Sequence, residues 1–267
     1  MRVMGTLALA AVVGAAGLDS SAPRPDTLAA WSAYVAATNR RVDAELDTGS
    51  KFLAQEFGPA PEDDARAVGA GSIVIRHLET RDPRGRAIDV PSGMVHHWRG
   101  AVLIPGAKLD GLLRNLQSDV PDMGQADVLR ASVIERGPDS MKVFLRLRRS
   151  RFVTVVYNTE HDVRFRRWSP TRASSTSVAT KIAEVENPGT ASERELPPGS
   201  DRGFLWRWNA SWRYEETPAG VIVECESVSL SRDMPSVLRY LVGPLVESTA
   251  RESMERTLTS MRAHFRH

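Results

Sequence analysis

Cysteine is almost absent from this chain. Cys225 is the only one in 267 residues, so no disulfide can form within the chain. No HExxH, CxxC or His/Cys/carboxylate grouping at ligand spacing occurs, which argues against a metal centre. His96 and His97 are adjacent in a strand pattern, point to opposite faces and cannot share an ion. A GxSxG elbow, a phosphate-binding Gly-rich loop and a dinucleotide fingerprint are all missing; Gly69-Ala-Gly-Ser72 is an isolated fragment. No cofactor is therefore expected. Charge of one sign is lacking too. With 35 basic and 33 acidic side chains the net charge is +2, which excludes the global electrostatic footprint of a nucleic-acid binder. No apolar run reaches the roughly 20 residues that span a bilayer, and no internal repeat or low-complexity tract appears.

The N-terminus does carry a short apolar run. Arg2 precedes Leu7-Ala-Leu-Ala-Ala-Val-Val-Gly-Ala-Ala16, and small residues up to Ala22 offer cleavage sites, so residues 1–22 read as an export signal. The mature protein is then expected in the periplasm or outside the cell. Residues 23–92 read as an N-terminal helical extension and connection. In it, Asp26 is the expected N-cap of a helix to about Leu46, with Leu28, Trp31, Thr38 and Val42 at helical spacing. Residues 47–70 read as loop, and Ser72–His77 as a short strand.

From Met94 a strand rhythm takes over. The expected order is a strand (Val95–Ile104), a Leu-rich helix (Lys108–Gln117), and strands over 128–136, 141–149, 152–168 and 172–186. A polar loop over 187–202 follows. Along Phe204–Tyr214 the even positions are apolar, apart from small Ala210, and most odd ones are polar, the period of a half-buried strand. After Thr217-Pro-Ala-Gly220 the chain returns as Val221–Leu230. Pairing Glu216 with Val221 sets Trp212 opposite Cys225, Tyr214 opposite Val223 and Arg213 opposite Glu224, so the apolar faces coincide. Cys225 then reads as a small buried hydrophobe. A long helix from Pro235 closes the chain. Pro244 is expected to kink or restart it, and its middle is polar (Ser248, Thr249, Glu252, Ser253, Arg256).

This order, carried by Trp98-Arg-Gly-Ala-Val-Leu-Ile-Pro105, Trp212–Glu224, Ser229-Leu-Ser-Arg-Asp-Met-Pro235 and Leu241-Val-Gly-Pro-Leu245, resembles the START-like (Bet v 1-like, SRPBCC) superfamily. The resemblance is to exported bacterial members of unknown function and covers Gly93 to Phe265. It implies an α+β helix-grip fold over residues 93–267, a curved antiparallel sheet wrapped around the last helix. It also implies an apolar or amphipathic, lipid-like ligand between the two.

Strand parity then selects the inward-facing candidates Trp98, Leu145, Val155, Tyr157, Trp208, Trp212 and Tyr214. His161 is a polar handle, and Ser253 and Arg256 reach in from the helix. The resemblance leaves two other readings open. One is a cyclase/aromatase-type enzyme in which His161 and Tyr157 move protons. The other is a ligand-free interaction module whose aromatic face is plain core. Arginines at 146, 148, 149, 151, 164, 166 and 167 read as solvated outer faces, with peripheral contact to an anionic membrane surface as the alternative. Glu224, Glu226 and Arg213 likewise read as an outer-face charge pairing in water.

Overall fold

The computed structural model describes residues 22–118, 124–150, 154–233 and 236–266, with backbone only over 236–249. The expected signal segment lies outside the described residues save for Ala22. So do the side chains around Pro244, where the helix backbone is continuous.

Helix α1 (Pro25–Leu46) opens the described chain, one residue before the expected cap, because Pro25 fits the first helical position. A 3₁₀ turn (Ala54–Phe57) and α2 (Pro61–Gly69) follow where loop was expected. Pro61 and three acidic residues in its first turn (Glu62, Asp63, Asp64) are the start signal of α2. Next come β1 (Val74–His77), β2 (Gly93–Pro105) and α3 (Leu109–Ser118). The meander is β3 (Val128–Arg136), β4 (Ser140–Ser150), β5 (Thr154–Ser169), β6 (Arg172–Glu186) and the short β7 (Arg194–Glu195). The chain ends with β8 (Arg207–Thr217), β9 (Gly220–Arg232) and α4 (Ser236–His264).

The nine strands among the described residues form one antiparallel sheet in the order β1-β2-β9-β8-β6-β5-β4-β3, with β7 attached to β6. The β8–β9 register is the expected one: Trp212 faces Cys225, Tyr214 faces Val223 and Arg213 faces Glu224. At one end of the strand order α4 packs on β2 and β1. An added Cβ at Gly100 of β2 would come within 2.6 Å of Leu258 and 2.8 Å of Met254, so this glycine lets the helix approach the sheet closely. At the other end Arg256 of α4 reaches Asp127, the residue before β3, at 3.4 Å. One helix touching both ends of the strand order requires a sheet curled around it. This is the helix-grip arrangement that the resemblance implied, and the class is α+β.

The core beneath α4 joins Met254, Leu258 and Met261 to Val102, Ile104, Val221, Val223, Cys225 and Tyr214, with Leu109, Leu112 and Leu113 of α3 alongside. Glu216 caps α3, accepting from the Leu109 backbone N–H at 2.8 Å and from Lys108 at 3.0 Å.

The opposite, convex face corrects the sequence reading. Arg213, Glu224 and Glu226 are 3%, 1% and 5% exposed, because α1, the segment after it and the 3₁₀ turn lie over them. Arg213 donates to Glu45 at 2.5 Å and to the Phe52 carbonyl at 2.9 Å. Glu224 accepts from the Ala54 and Gln55 backbone N–H groups. Glu226 accepts from Arg41 and, at 2.8 Å, from His97 Nε2. Tyr34 of α1 shares a 2.9 Å hydrogen bond with His97 Nδ1. Strand alternation marks which residues leave the core; it carries no sign of a second layer waiting to bury them.

Candidate functional site

Paired residues in an antiparallel sheet point to the same side, so the registers determine which side chains share the α4 face. Starting from Trp98 on β2, the ladder runs Ser227 on β9, Ala210 on β8, Ser177 on β6, Val163 on β5 and Met141 on β4. Two residues along, Trp212 lies between Cys225 and Ser175, and Tyr214 between Val223 and Ala173. Trp208 pairs with Ser229, His161 with Ala179 and Val143, Leu145 with Thr159, Tyr157 with Leu147 and Glu184, and Val155 with Arg149. All eight strand candidates therefore stand on one concave face, the face that α4 covers.

Packing divides them into two groups among the described residues. Trp98, Trp212 and Tyr214 belong to the cluster beneath α4. Leu145, Val155, Tyr157 and Trp208 gather with Leu147, Val128, Ile182 and Leu205 in a second cluster that spans β3 to β6 and the start of β8. His161 connects toward the second, edge-on to Trp208 at 5.0 Å between centroids. Between the clusters the floor is made of small side chains: Ser175, Ser177, Ala179, Ala210 and Ser227. Sequence parity missed these β6 residues as a lining; the small-residue run Ala173-Ser-Ser-Thr-Ser-Val-Ala179 was the available signal. Trp98, Trp208 and Trp212 remain half-buried on this floor, whereas Tyr214 is fully packed with its hydroxyl on Ser175 at 3.0 Å.

The polar groups differ in what they can still do. His161 is buried, with Nε2 at 3.0 Å from the Thr159 hydroxyl and Nδ1 at 3.3 Å from Ser177. Burial lowers its pKa to about 4, so the ring is neutral at physiological pH. His96, on the same side of β2 as Trp98, is also lowered to about 4 by burial, and its Nε2 lies 2.9 Å from Ser231. Tyr157 is 3% exposed and its hydroxyl has no hydrogen-bond partner among the described residues; burial raises its pKa well above the usual phenol value. Arg256 is bound up with Asp127, which also pairs with Arg149. Ser253 is half-buried one turn earlier on α4, and its carbonyl accepts from Thr257 at 3.0 Å. Burial also pushes the Cys225 thiol up, away from any nucleophilic form. No group of three or more His, Cys, Asp or Glu side chains placed to hold a metal exists among the described residues.

No family model matches the chain, and no curated protein matches it. Among solved structures it is similar to a STAR-related lipid transfer protein fragment from Xanthomonas axonopodis. The two are 16% identical with a TM-score of 0.45, over 72% of this chain and 99% of that one. It is also similar to human StAR-related lipid transfer protein 5, at 13% identity and a TM-score of 0.40 over 89% of this chain and 99% of that one. A Streptomyces aromatase/cyclase shows 12% identity and a TM-score of 0.39 over 64% of this chain and 93% of that one. With these scores below 0.5, the START-like architecture rests on the strand order and helix contacts above.

Proposed function

We propose that this chain, a START-like helix-grip fold, encloses an apolar or amphipathic, lipid-like molecule between the concave face of its sheet and α4. The observation that carries the reading is the contrast on one face. Three tryptophans point to the covered side of the sheet yet stay half-buried, around a floor of serine and alanine. Rings in that position offer contact area to a guest, and each Å² of apolar surface removed from water contributes about 25 cal/mol. A few polar groups would then orient it. Proton transfer of cyclase type finds less support, since hydroxyls occupy both nitrogens of His161.

The N-terminal segment extends the proposal to a binding protein that works outside the cytoplasm. Arg164 and Arg166, exposed on the outer face of β5, would let it touch anionic membrane surfaces while loading; salt-sensitive sedimentation with anionic vesicles tests that part. The enclosure itself is tested with an environment-sensitive apolar fluorophore. Uptake should quench tryptophan emission and weaken on Trp208→Ala or Trp212→Ala. A folded protein that takes up no such probe would sink the reading.

A further inference from the structure

Around Tyr157 every charge is already answered. Glu184, its cross-strand partner, holds Arg202 through Nε at 2.5 Å and through the backbone N–H at 3.1 Å. Asp201 accepts from the Gly203 backbone N–H at 2.6 Å. Arg149, diagonal to Tyr157 on the same face, is paired with Asp127, which also holds Arg256 at 3.4 Å and Gln125 at 2.7 Å. Three guanidiniums thus sit on two carboxylates, Arg202 on Glu184 and both Arg149 and Arg256 on Asp127, while Asp201 takes a backbone N–H. The phenol is the exception, buried to 3% exposure with its hydroxyl unpartnered among the described residues. A buried hydroxyl left without a partner is destabilising, and a buried ion without a counter-charge is far more so. The site therefore has a use for one hydrogen-bond acceptor and none for a further charge.

We propose that the Tyr157 hydroxyl is the polar anchor of the enclosed molecule, and that this molecule is an uncharged amphipath. It would present one alcohol, carbonyl or ether oxygen to Tyr157 and run its apolar body past Trp208 toward Trp212. Carboxylates and phosphates are selected against, because Glu184, Asp127 and Asp201 gather at this end and Arg202, Arg149 and Arg256 are already held by Glu184 and Asp127. This rests on the enclosure reading above and adds the head-group chemistry to it.

The test uses the full chain and three matched series: straight-chain alcohols, carboxylates and alkanes of the same lengths, each displacing a fluorescent apolar probe. Wild type should bind alcohols more tightly than carboxylates of equal length. Tyr157→Phe should weaken the alcohols by about tenfold, the worth of one buried hydrogen bond, and leave the alkanes within about twofold. Its melting temperature without ligand should not fall, since the change removes only an unpartnered group. Carboxylates that outbind alcohols, or a Tyr157→Phe variant that weakens alcohols and alkanes equally or not at all, would overturn the anchor and leave enclosure standing. If no member of any series displaces the probe from wild type, the enclosure reading falls and the anchor with it.

Discussion

At the scale of single residues, backbone geometry and burial make the sharpest demands. Gly220 sits at φ +140° in the β8–β9 turn, and an added Cβ would run into the Ile104 carbonyl oxygen and come within 2.8 Å of the Gly106 nitrogen. Neither is a movable side chain. Gly220→Ala should therefore cost about 2 kcal/mol or more, read as a lower urea midpoint with an unchanged slope. Two histidines with depressed pKa values set a second demand. His96 and His161 have folded-state values of about 4 against an ordinary 6.5. A depressed value means their contribution to stability is full above pH 6.5 and is lost as pH falls through 4. His161→Gln should flatten the decline of the melting temperature over that window; an unaltered decline would show that His161 does not titrate on unfolding. Much at this scale was legible beforehand, because period-two alternation assigns side chains to faces, and all eight strand candidates share one. Phe204 and Trp206 escaped it. The strand begins only at Arg207, so Phe204 stands 53% exposed and Trp206 packs with Trp31, Tyr34 and Leu230 on the convex side. The orphan state of Tyr157 was not legible at all, since it depends on where Glu184 and Arg149 find other partners.

At the scale of elements, the layer formed by α1, the 3₁₀ turn and α2 is held to the sheet largely by buried charge. Burial alone would raise Glu226, but the His97 hydrogen bond and the Arg41 and Arg213 charges outweigh it and hold the carboxyl at about 2 against an ordinary 4.5. Its contribution, of the order of 3 kcal/mol, is full above pH 4.5 and lost as pH falls toward 2. Glu224 acts in the other sense. Burial pushes it up to about 7 despite Arg99 and Arg213. Its contribution is full below pH 4.5 and declines as pH rises through 7. Glu226→Gln should destabilise the protein by about 3–5 kcal/mol at neutral pH, since Arg41 and His97 lose their buried partner, and should flatten the acid limb. Glu224→Gln should instead level the fall in stability between pH 4.5 and 7. Chemical denaturation across pH reads both slopes. Helices α1, α3 and α4 and most strands were legible from hydrophobic spacing. The α2 region was not, because a nine-residue helix rich in Asp and Glu shows little apolar stripe. Its buried residues are only Asp64 and Val68, and Asp64 is there to meet Arg99 at 2.7 Å and Arg76 at 2.5 Å.

At the scale of the whole molecule, one sheet serves two covers. The concave side takes α4 and, by the proposal above, a guest; the convex side takes the N-terminal layer through ion pairs. A chain beginning at Gly93 would expose His97, Arg99, Arg213, Glu224 and Glu226 together with Val228 and Leu230, and would lose β1 from the sheet edge. It should fail to unfold cooperatively in a thermal scan. A sharp transition close to that of the longer chain would show that the layer is dispensable.

The central claim is the guest itself. Native mass spectrometry of the protein purified from its own host, followed by organic extraction, tests it most directly. The account predicts an added mass of a few hundred daltons that extraction releases as an uncharged, oxygen-bearing lipid-like molecule. A folded protein that flies empty, and that also ignores apolar fluorescent probes, would contradict it and leave the aromatic face as packing alone.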